Sequence, residues 1–92
     1  MVKPDVTADD VLDALQQFDR LGRAGFLQTF GFGEARSYFL HHEGRDYDSK
    51  AVVGAAHTLR HGVRLRPADF SGDAAVKKLL EGLGFEVRVR GT

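Results

Sequence analysis

The fold of this chain follows from residues 38–57, which read YFLHHEGRDYDSKAVVGAAH. Side chains alternate between two faces from Tyr38 to His42, as a half-buried strand requires. The Glu43-Gly44 pair suits a tight turn, so a second short strand is predicted directly after it. The remainder is rich in Ala and Val and predicts a helix. We therefore expect a hairpin that is followed at once by a helix.

The predicted helix runs from Ser49 to about His61, and Gly62 lies where a helix C-terminal glycine is expected. Asp48 and Ser49 offer side-chain oxygens that can cap the backbone N–H groups of the first turn. The small residues of this helix allow close approach of another element or of a ligand backbone. Core packing is the commoner use of such residues.

Two further helices are predicted before the hairpin. The first covers residues 8–20, with Thr7 as its N-cap and acidic residues in its first turn, and it stops at Gly22. The second is shorter, covers residues 24–29 and packs apolar side chains inward.

A last helix and a last strand are predicted at the C-terminal end. Ser71 is the expected N-cap of the helix, Gly84 closes it, and alternation from Phe85 to Arg90 indicates a strand. Antiparallel pairing of the hairpin with this strand predicts an α+β fold. In that fold a small three-stranded antiparallel sheet is covered by about four helices, and a winged-helix-like arrangement is compatible with this order.

Composition limits the classes of protein to consider. The 92 residues make one domain with a small core, and the absence of cysteine excludes disulfides and thiolate zinc sites. No signal peptide is recognisable, and no apolar run approaches the ~20 residues of a membrane span. We therefore expect a soluble, cytoplasmic domain. The formal net charge is zero, so a generic polycation argument does not apply.

Charge is nevertheless unevenly distributed along the chain. Residues 1–21 hold two basic residues against five aspartates, a net charge of −3. Residues 36–66 hold six Lys or Arg against three acidic residues, a net charge of +3, and all four histidines. A mixed solvated surface would also show such segregation.

Six residues around the hairpin and the following helix N-terminus are candidate DNA contacts. They combine cations, hydroxyl groups and a helix start, which together suit a nucleic-acid backbone. Lysine and arginine would neutralise phosphates, and an arginine could also recognise guanine through two hydrogen bonds. The set is Arg36, Tyr38, Arg45, Tyr47, Ser49 and Lys50.

Two catalytic or metal-binding alternatives use neighbouring residues. Asp48 and Lys50 match the acidic-x-Lys half of a metal-dependent nuclease core, but the nearby upstream carboxylates, Asp19 and Glu34, do not fall on a predicted strand. His57 and His61 have the i, i+4 spacing of two metal ligands on a helix, and a third ligand would have to be His41, His42 or a carboxylate. We therefore expect no catalytic residue, metal or cofactor in this domain.

Several motifs together resemble a known family. They are Gly31-Phe-Gly-x-Ala-Arg36, Tyr38-x-Leu40, Gly44-Arg-x-Tyr-x-Ser-Lys-Ala51, Gly54-x-Ala-His57, Leu65-x-Pro67-x-Asp-Phe-Ser-Gly72 and Leu80-x-x-Leu-Gly-Phe-Glu-Val87. The combination is similar to the N-terminal head domain of McrA-like type IV restriction endonucleases. In those enzymes the head precedes a domain that recognises sulfur-modified DNA, an SRA-like domain and an HNH nuclease.

The resemblance implies a role for the chain in restricting modified DNA. Residues 1–92 would be a single N-terminal head domain cut from a longer multidomain nuclease, and this domain itself would not cut. It would bind duplex DNA, with 5-methylcytosine as a candidate target, and its other partners would be the remaining domains of the same chain. The alternative is a protein-interaction head that orients those domains and binds DNA weakly or not at all.

Overall fold

The computed structural model describes residues 4–70 and 72–90. Within them, the elements occur in the order α1 (Ala8–Phe30), β1 (Tyr38–His42), β2 (Arg45–Asp48), α2 (Ser49–His61), a 3-10 turn (Pro67–Asp69), α3 (Asp73–Gly82) and β3 (Glu86–Val89). The predicted α+β class is confirmed, with three α-helices among the described residues rather than about four. No helix in this part of the chain has the length and apolar character needed to cross a bilayer.

The three strands form one antiparallel sheet in the order β2-β1-β3. Leu40 in the central strand lies opposite Tyr47 on one side and Val87 on the other, and all three side chains are buried. Glu43 and Gly44 take positive φ values of 50° and 78°, the backbone conformation of a type I′ hairpin turn. The predicted hairpin and its pairing with the C-terminal strand are therefore both confirmed.

The opposite face of the sheet is polar and internally paired. The guanidinium of Arg90 lies 4.4 Å from the ring centroid of Phe39 and helps to bury that ring. Asp46 contacts both Arg90 and His41, whose Nδ1 is 2.7 Å from the carboxylate. The guanidinium of Arg90 and the ring of His41 are therefore already partnered within the domain.

Helix α1 is broken at Gly22, which explains the number of helices. Thr7 caps the N-terminus in a capping box with Asp10, as predicted for the cap. Gly22 then takes φ 77° and ψ 163°, a conformation outside the helical region that glycine adopts without a Cβ penalty. The two predicted helices thus follow one another as the two halves of α1, and the break lies where the first was expected to stop.

Helix α2 forms the centre of the core. Every residue from Ala51 to His57 is buried, and Val52, Val53, Ala55 and Ala56 are inaccessible to solvent. A helix that is apolar on all sides must be enclosed by its neighbours, and α1 and the sheet provide that enclosure here. The ring of Phe32 lies directly on Gly54, so the small residues serve core packing.

The C-terminal elements differ slightly from their predicted bounds. Gly72 occupies the N-cap position of α3, and Ser71, the residue predicted there, lies outside the described residues. Strand β3 is one residue shorter at each end than the predicted strand. Val76 and Leu80 of α3 complete the core.

We predict that Gly54→Ala destabilises the domain by about 1–3 kcal/mol, the usual cost of overpacking a core. A Cβ at this position would lie 2.3 Å from Cζ of Phe32, so the ring would have to move. Gly82→Ala is the matched control, because a Cβ there meets nothing within 4 Å. Urea denaturation should show a loss of stability for the first variant and none for the second. Equal midpoints would contradict the packing described here.

Candidate nucleic-acid interface

A cavity of about 410 Å³ lies between the α1–β1 loop and the N-terminus of α2. Its walls come from the loop, the ends of β1 and β2, the first turn of α2 and the start of α3. Four of the six predicted contact residues line it, namely Arg36, Tyr38, Ser49 and Lys50. The other lining residues are Phe32, Gly33, Glu34, Ala35, Ser37, Asp48, Ala51, Pro67 and Asp73.

The loop that forms one wall is fixed at two points. Phe32 is buried against Gly54 of α2. Three residues further on, the backbone N–H of Ala35 donates to Oδ2 of Asp48 over 2.8 Å. These two contacts hold the loop in position at the cavity wall. Arg36 comes directly after Ala35, the residue of the second contact.

Asp48 is held by an arginine from the far half of α1. Nε and Nη2 of Arg23 donate to its two carboxylate oxygens over 3.0 and 2.8 Å. The Asp48 side chain is buried, whereas the Arg23 side chain is 43% exposed and also lies 3.6 Å from Glu34. The hydrogen bonds that Arg23 donates to Asp48 raise the pKa of Arg23 above its ordinary value. This two-point contact is the strong form of an arginine–carboxylate pair.

The predicted capping by Asp48 and Ser49 is wrong. Asp48 stands at the N-cap position of α2, but its side chain makes no capping hydrogen bond, because Arg23 and Ala35 take both oxygens. The hydroxyl of Ser49 is buried and donates instead to the carbonyl oxygen of Tyr38 over 3.0 Å. A long-range ion pair has therefore displaced the local cap.

The first turn of α2 consequently faces the cavity without a side-chain cap. Its backbone N–H groups and the helix dipole make this end electropositive. Lys50 adds a cation that is 3.2 Å from Asp73, and Arg36 adds an exposed guanidinium with no ion-pair partner within residues 4–70 and 72–90. Half-buried Tyr38 supplies an aromatic wall. Such a combination of groups suits an anion such as a phosphate.

The structure separates Arg45 and Tyr47 from this cavity. Both contact the same oxygen of Asp19 in α1, with Nη1 of Arg45 at 3.0 Å and the Tyr47 hydroxyl at 2.9 Å. Tyr47 is buried beside Phe18, and its burial, followed by Asp19, raises its pKa. Arg45 keeps a side chain that is 67% exposed at the hairpin turn.

Arg23, which holds Asp48 at the edge of this site, was not predicted from the sequence. It precedes the basic stretch and carries no motif of its own. Gly22 is the sequence feature that could have indicated this role. A break in the helix at Gly22 changes the direction of the chain, and therefore the position of the residue that follows it.

The two helical histidines contact the N-terminal segment. Nδ1 of His57 accepts from the backbone N–H of Asp5, and Nε2 of His61 donates to the Asp5 carbonyl. Among the described residues, no group of three or more His, Asp or Glu side chains is arranged to hold a metal ion.

Comparison with known proteins gives the family. A family model described as the ScoMcrA-like N-terminal head domain matches residues 4–89. The chain belongs to this family. A solved structure, that of the type IV phosphorothioation-dependent restriction endonuclease ScoMcrA, matches this head domain with a TM-score of 0.70 and 34% sequence identity. No curated protein matches.

The match to ScoMcrA covers 95% of this chain but only 13% of the larger protein. The chain therefore corresponds to one part of that enzyme, and it is a relative of that part rather than a copy of it. The predicted resemblance to a head domain of type IV restriction endonucleases is confirmed.

We predict that Arg23→Met destabilises the head domain by about 1–3 kcal/mol, because the buried Asp48 carboxylate loses two charged donors. Partial exposure of Arg23 lets water replace some of this loss, which favours the lower end of the range. Arg88→Met is the control, because Arg88 forms an exposed pair with Glu86 that should contribute little. Denaturation of both variants measures the difference. A stability loss in the control as large as that in Arg23→Met would refute a special role for the buried pair.

Proposed function

We propose that this domain is a non-catalytic DNA-binding module of a type IV restriction endonuclease that acts on modified DNA in the cytoplasm. The observation that supports this function best is the cavity at the N-terminus of α2, where Arg36, Lys50 and uncapped backbone donors converge. These groups would hold a phosphate of duplex DNA. Membership of the ScoMcrA-like head family supports the proposal that this site serves the restriction of DNA.

The contact residues would have two roles: some would bind the DNA backbone and position the domain, and others would recognise bases. Lys50 and Arg36 would neutralise phosphates, the backbone N–H groups of Ser49 and Lys50 would donate to the same oxygens, and Tyr38 would contact the sugar. Arg45 is placed differently, at an exposed turn, and its planar guanidinium could enter a groove after leaving Asp19. Tyr47 would act indirectly, because its hydroxyl holds the same Asp19.

The environment of Asp48 argues against the nuclease alternative. Its carboxylate oxygens already accept hydrogen bonds from Arg23 and the Ala35 N–H. A divalent cation would have to displace these donors and leave the guanidinium of Arg23 beside the metal. We therefore assign cleavage to other domains of the full-length enzyme and not to this one.

The modification that the head prefers is a further part of the proposal. We propose 5-methylcytosine, on the basis of the family resemblance. The related ScoMcrA is described as phosphorothioation-dependent, so sulfur in the backbone is the competing choice. Binding to matched unmodified, 5-methylcytosine and phosphorothioate duplexes at one salt concentration separates these choices.

One observation favours a protein-interaction head instead. Lys50 and Arg45 are each paired with an aspartate, and the formal net charge is zero, so DNA must compete with ion pairs inside the domain. Under this alternative, the folded domain would show weak or no DNA binding even at low salt.

We predict that the domain binds duplex DNA with a log–log salt slope of about −2, as expected if Arg36 and Lys50 each neutralise one phosphate. Lys50→Ala should reduce the magnitude of the slope by about 0.9 and weaken modified and unmodified duplexes equally. Lys78→Ala is the control, since Lys78 is exposed and does not line the cavity. Fluorescence anisotropy over a salt series gives both quantities. A slope unchanged by Lys50→Ala would exclude this lysine as a phosphate ligand.

We predict a different result for Arg45→Ala. Loss of a two-bond contact with guanine should weaken the preferred duplex by roughly ten- to a hundred-fold and reduce the preference over other duplexes. Arg66→Ala removes another exposed, aspartate-paired arginine and serves as the control. Competition binding with preferred and non-preferred duplexes measures discrimination. Unchanged affinity and unchanged preference in Arg45→Ala would eliminate the hairpin turn as the reading element.

A further inference from the structure

The segment before α1 is attached to the C-terminal half of α2 through two histidines. The backbone N–H of Asp5 donates to Nδ1 of His57 over 3.3 Å, and Nε2 of His61 donates to the Asp5 carbonyl over 2.8 Å. Val6, the next residue, is buried in the core. We call the contacts of Asp5 with His57 and His61 the N-terminal clasp. It lies outside the cavity described above and has no part in the proposed DNA contacts.

The two histidine contacts have opposite polarity. His57 accepts, so its Nδ1 must be unprotonated and its proton must sit on Nε2. His61 donates, and a second proton on its ring leaves that donor in place. Protonation of His57 therefore places its Nδ1–H opposite the backbone N–H of Asp5, and two donors cannot form a hydrogen bond. Protonation of His61 leaves its hydrogen bond to the Asp5 carbonyl in place.

The surroundings of His57 disfavour its charged form. The residue is only 8% exposed, and its ring centroid lies 4.6 Å from that of His61. Burial lowers the pKa of His57, the charge of His61 lowers it further, and the Asp5 carboxylate acts in the opposite direction. Burial of His57 and its contact with the Asp5 N–H thus favour the neutral imidazole.

The other charged groups of the packed elements are already paired. Asp10 of α1 lies 3.0 Å from Arg60 of α2. The backbone N–H of Thr7 is the main cause that lowers the pKa of Asp10, so this carboxylate stays ionised while histidine titrates. Among the described residues, the charged groups that act on His57 are Asp5 and His61, and Nε2 of His61 also lies 3.4 Å from the Asp5 carboxylate. Asp10 and Arg60 of the adjoining helices neutralise each other.

We propose that the N-terminal clasp is a pH-operated latch, in which protonation of His57 releases the Asp5–Val6 segment from α2. Free histidine has a pKa of about 6.5, and the folded value is lower. The released state therefore binds protons more readily, and the stability that the clasp gains from neutral His57 is fully present above about pH 6.5. It weakens as the pH falls below that value toward the folded pKa. The equilibrium constant for opening should rise by up to about tenfold per pH unit in this window.

NMR titration of the wild-type domain between pH 7.5 and 5 tests the latch directly. The ring signals of His57, the amide of Asp5 and the methyl groups of Val6 should shift with one common midpoint below about 6.5. Hydrogen-exchange protection of the Asp5 amide, corrected for intrinsic exchange, should fall over the same range. Separate midpoints for His57 and the segment would overturn the proposal.

Three variants identify the titrating group. His57→Asn retains an acceptor for the Asp5 N–H but does not titrate, so its protection should be independent of pH. His61→Asn should lower protection at all pH values and keep the pH step, and Asp5→Asn should keep the step because the backbone contacts remain. A step that persists in His57→Asn, or disappears in Asp5→Asn, would refute His57 as the sensor. The wild-type titration decides the question even if a variant fails to fold.

Discussion

The carboxylate of Asp48 is buried at the point where four parts of the chain meet. A buried charge is costly unless it is paired and fully hydrogen-bonded, and Arg23 with the Ala35 N–H meets this condition. Arg23 comes from the second half of α1, Ala35 from the loop, and Asp48 itself from the junction of β2 and α2. Satisfying this one charge therefore fixes the relative positions of all four parts.

The candidate interface depends on this arrangement. Because Arg23 takes the side chain of Asp48, the first turn of α2 lines the cavity without a side-chain cap. Because Ala35 is bound to the same carboxylate, the next residue, Arg36, is brought to the cavity wall. The missing side-chain cap and the candidate anion site are thus two results of the same ion pair.

The sequence predicted the parts of the fold that depend on local periodicity. Alternation gave the hairpin and β3, and Gly22 and Gly62 marked helix ends because these positions need a left-handed or non-helical backbone. It did not predict the partners of Asp48, since Arg23 lies 25 residues away, or those of Tyr47, whose hydroxyl bonds to Asp19 at a separation of 28 residues. Neighbouring residues on the hairpin were therefore expected to form one surface, although long-range contacts divide them between two.

The direct passage from β2 to α2 has a mechanical consequence. The strand ends at Asp48 and the helix begins at Ser49, with no residue between them to act as a hinge. The Asp48 carboxylate also accepts a hydrogen bond from Arg23, and the Ser49 hydroxyl donates to the Tyr38 carbonyl of β1. We infer that the hairpin and the helix move as one rigid unit whose orientation is set during folding. A partner that binds the hairpin turn and the first turn of α2 at the same time contacts a preorganised surface. Little conformational entropy is lost on binding, because these elements are already ordered.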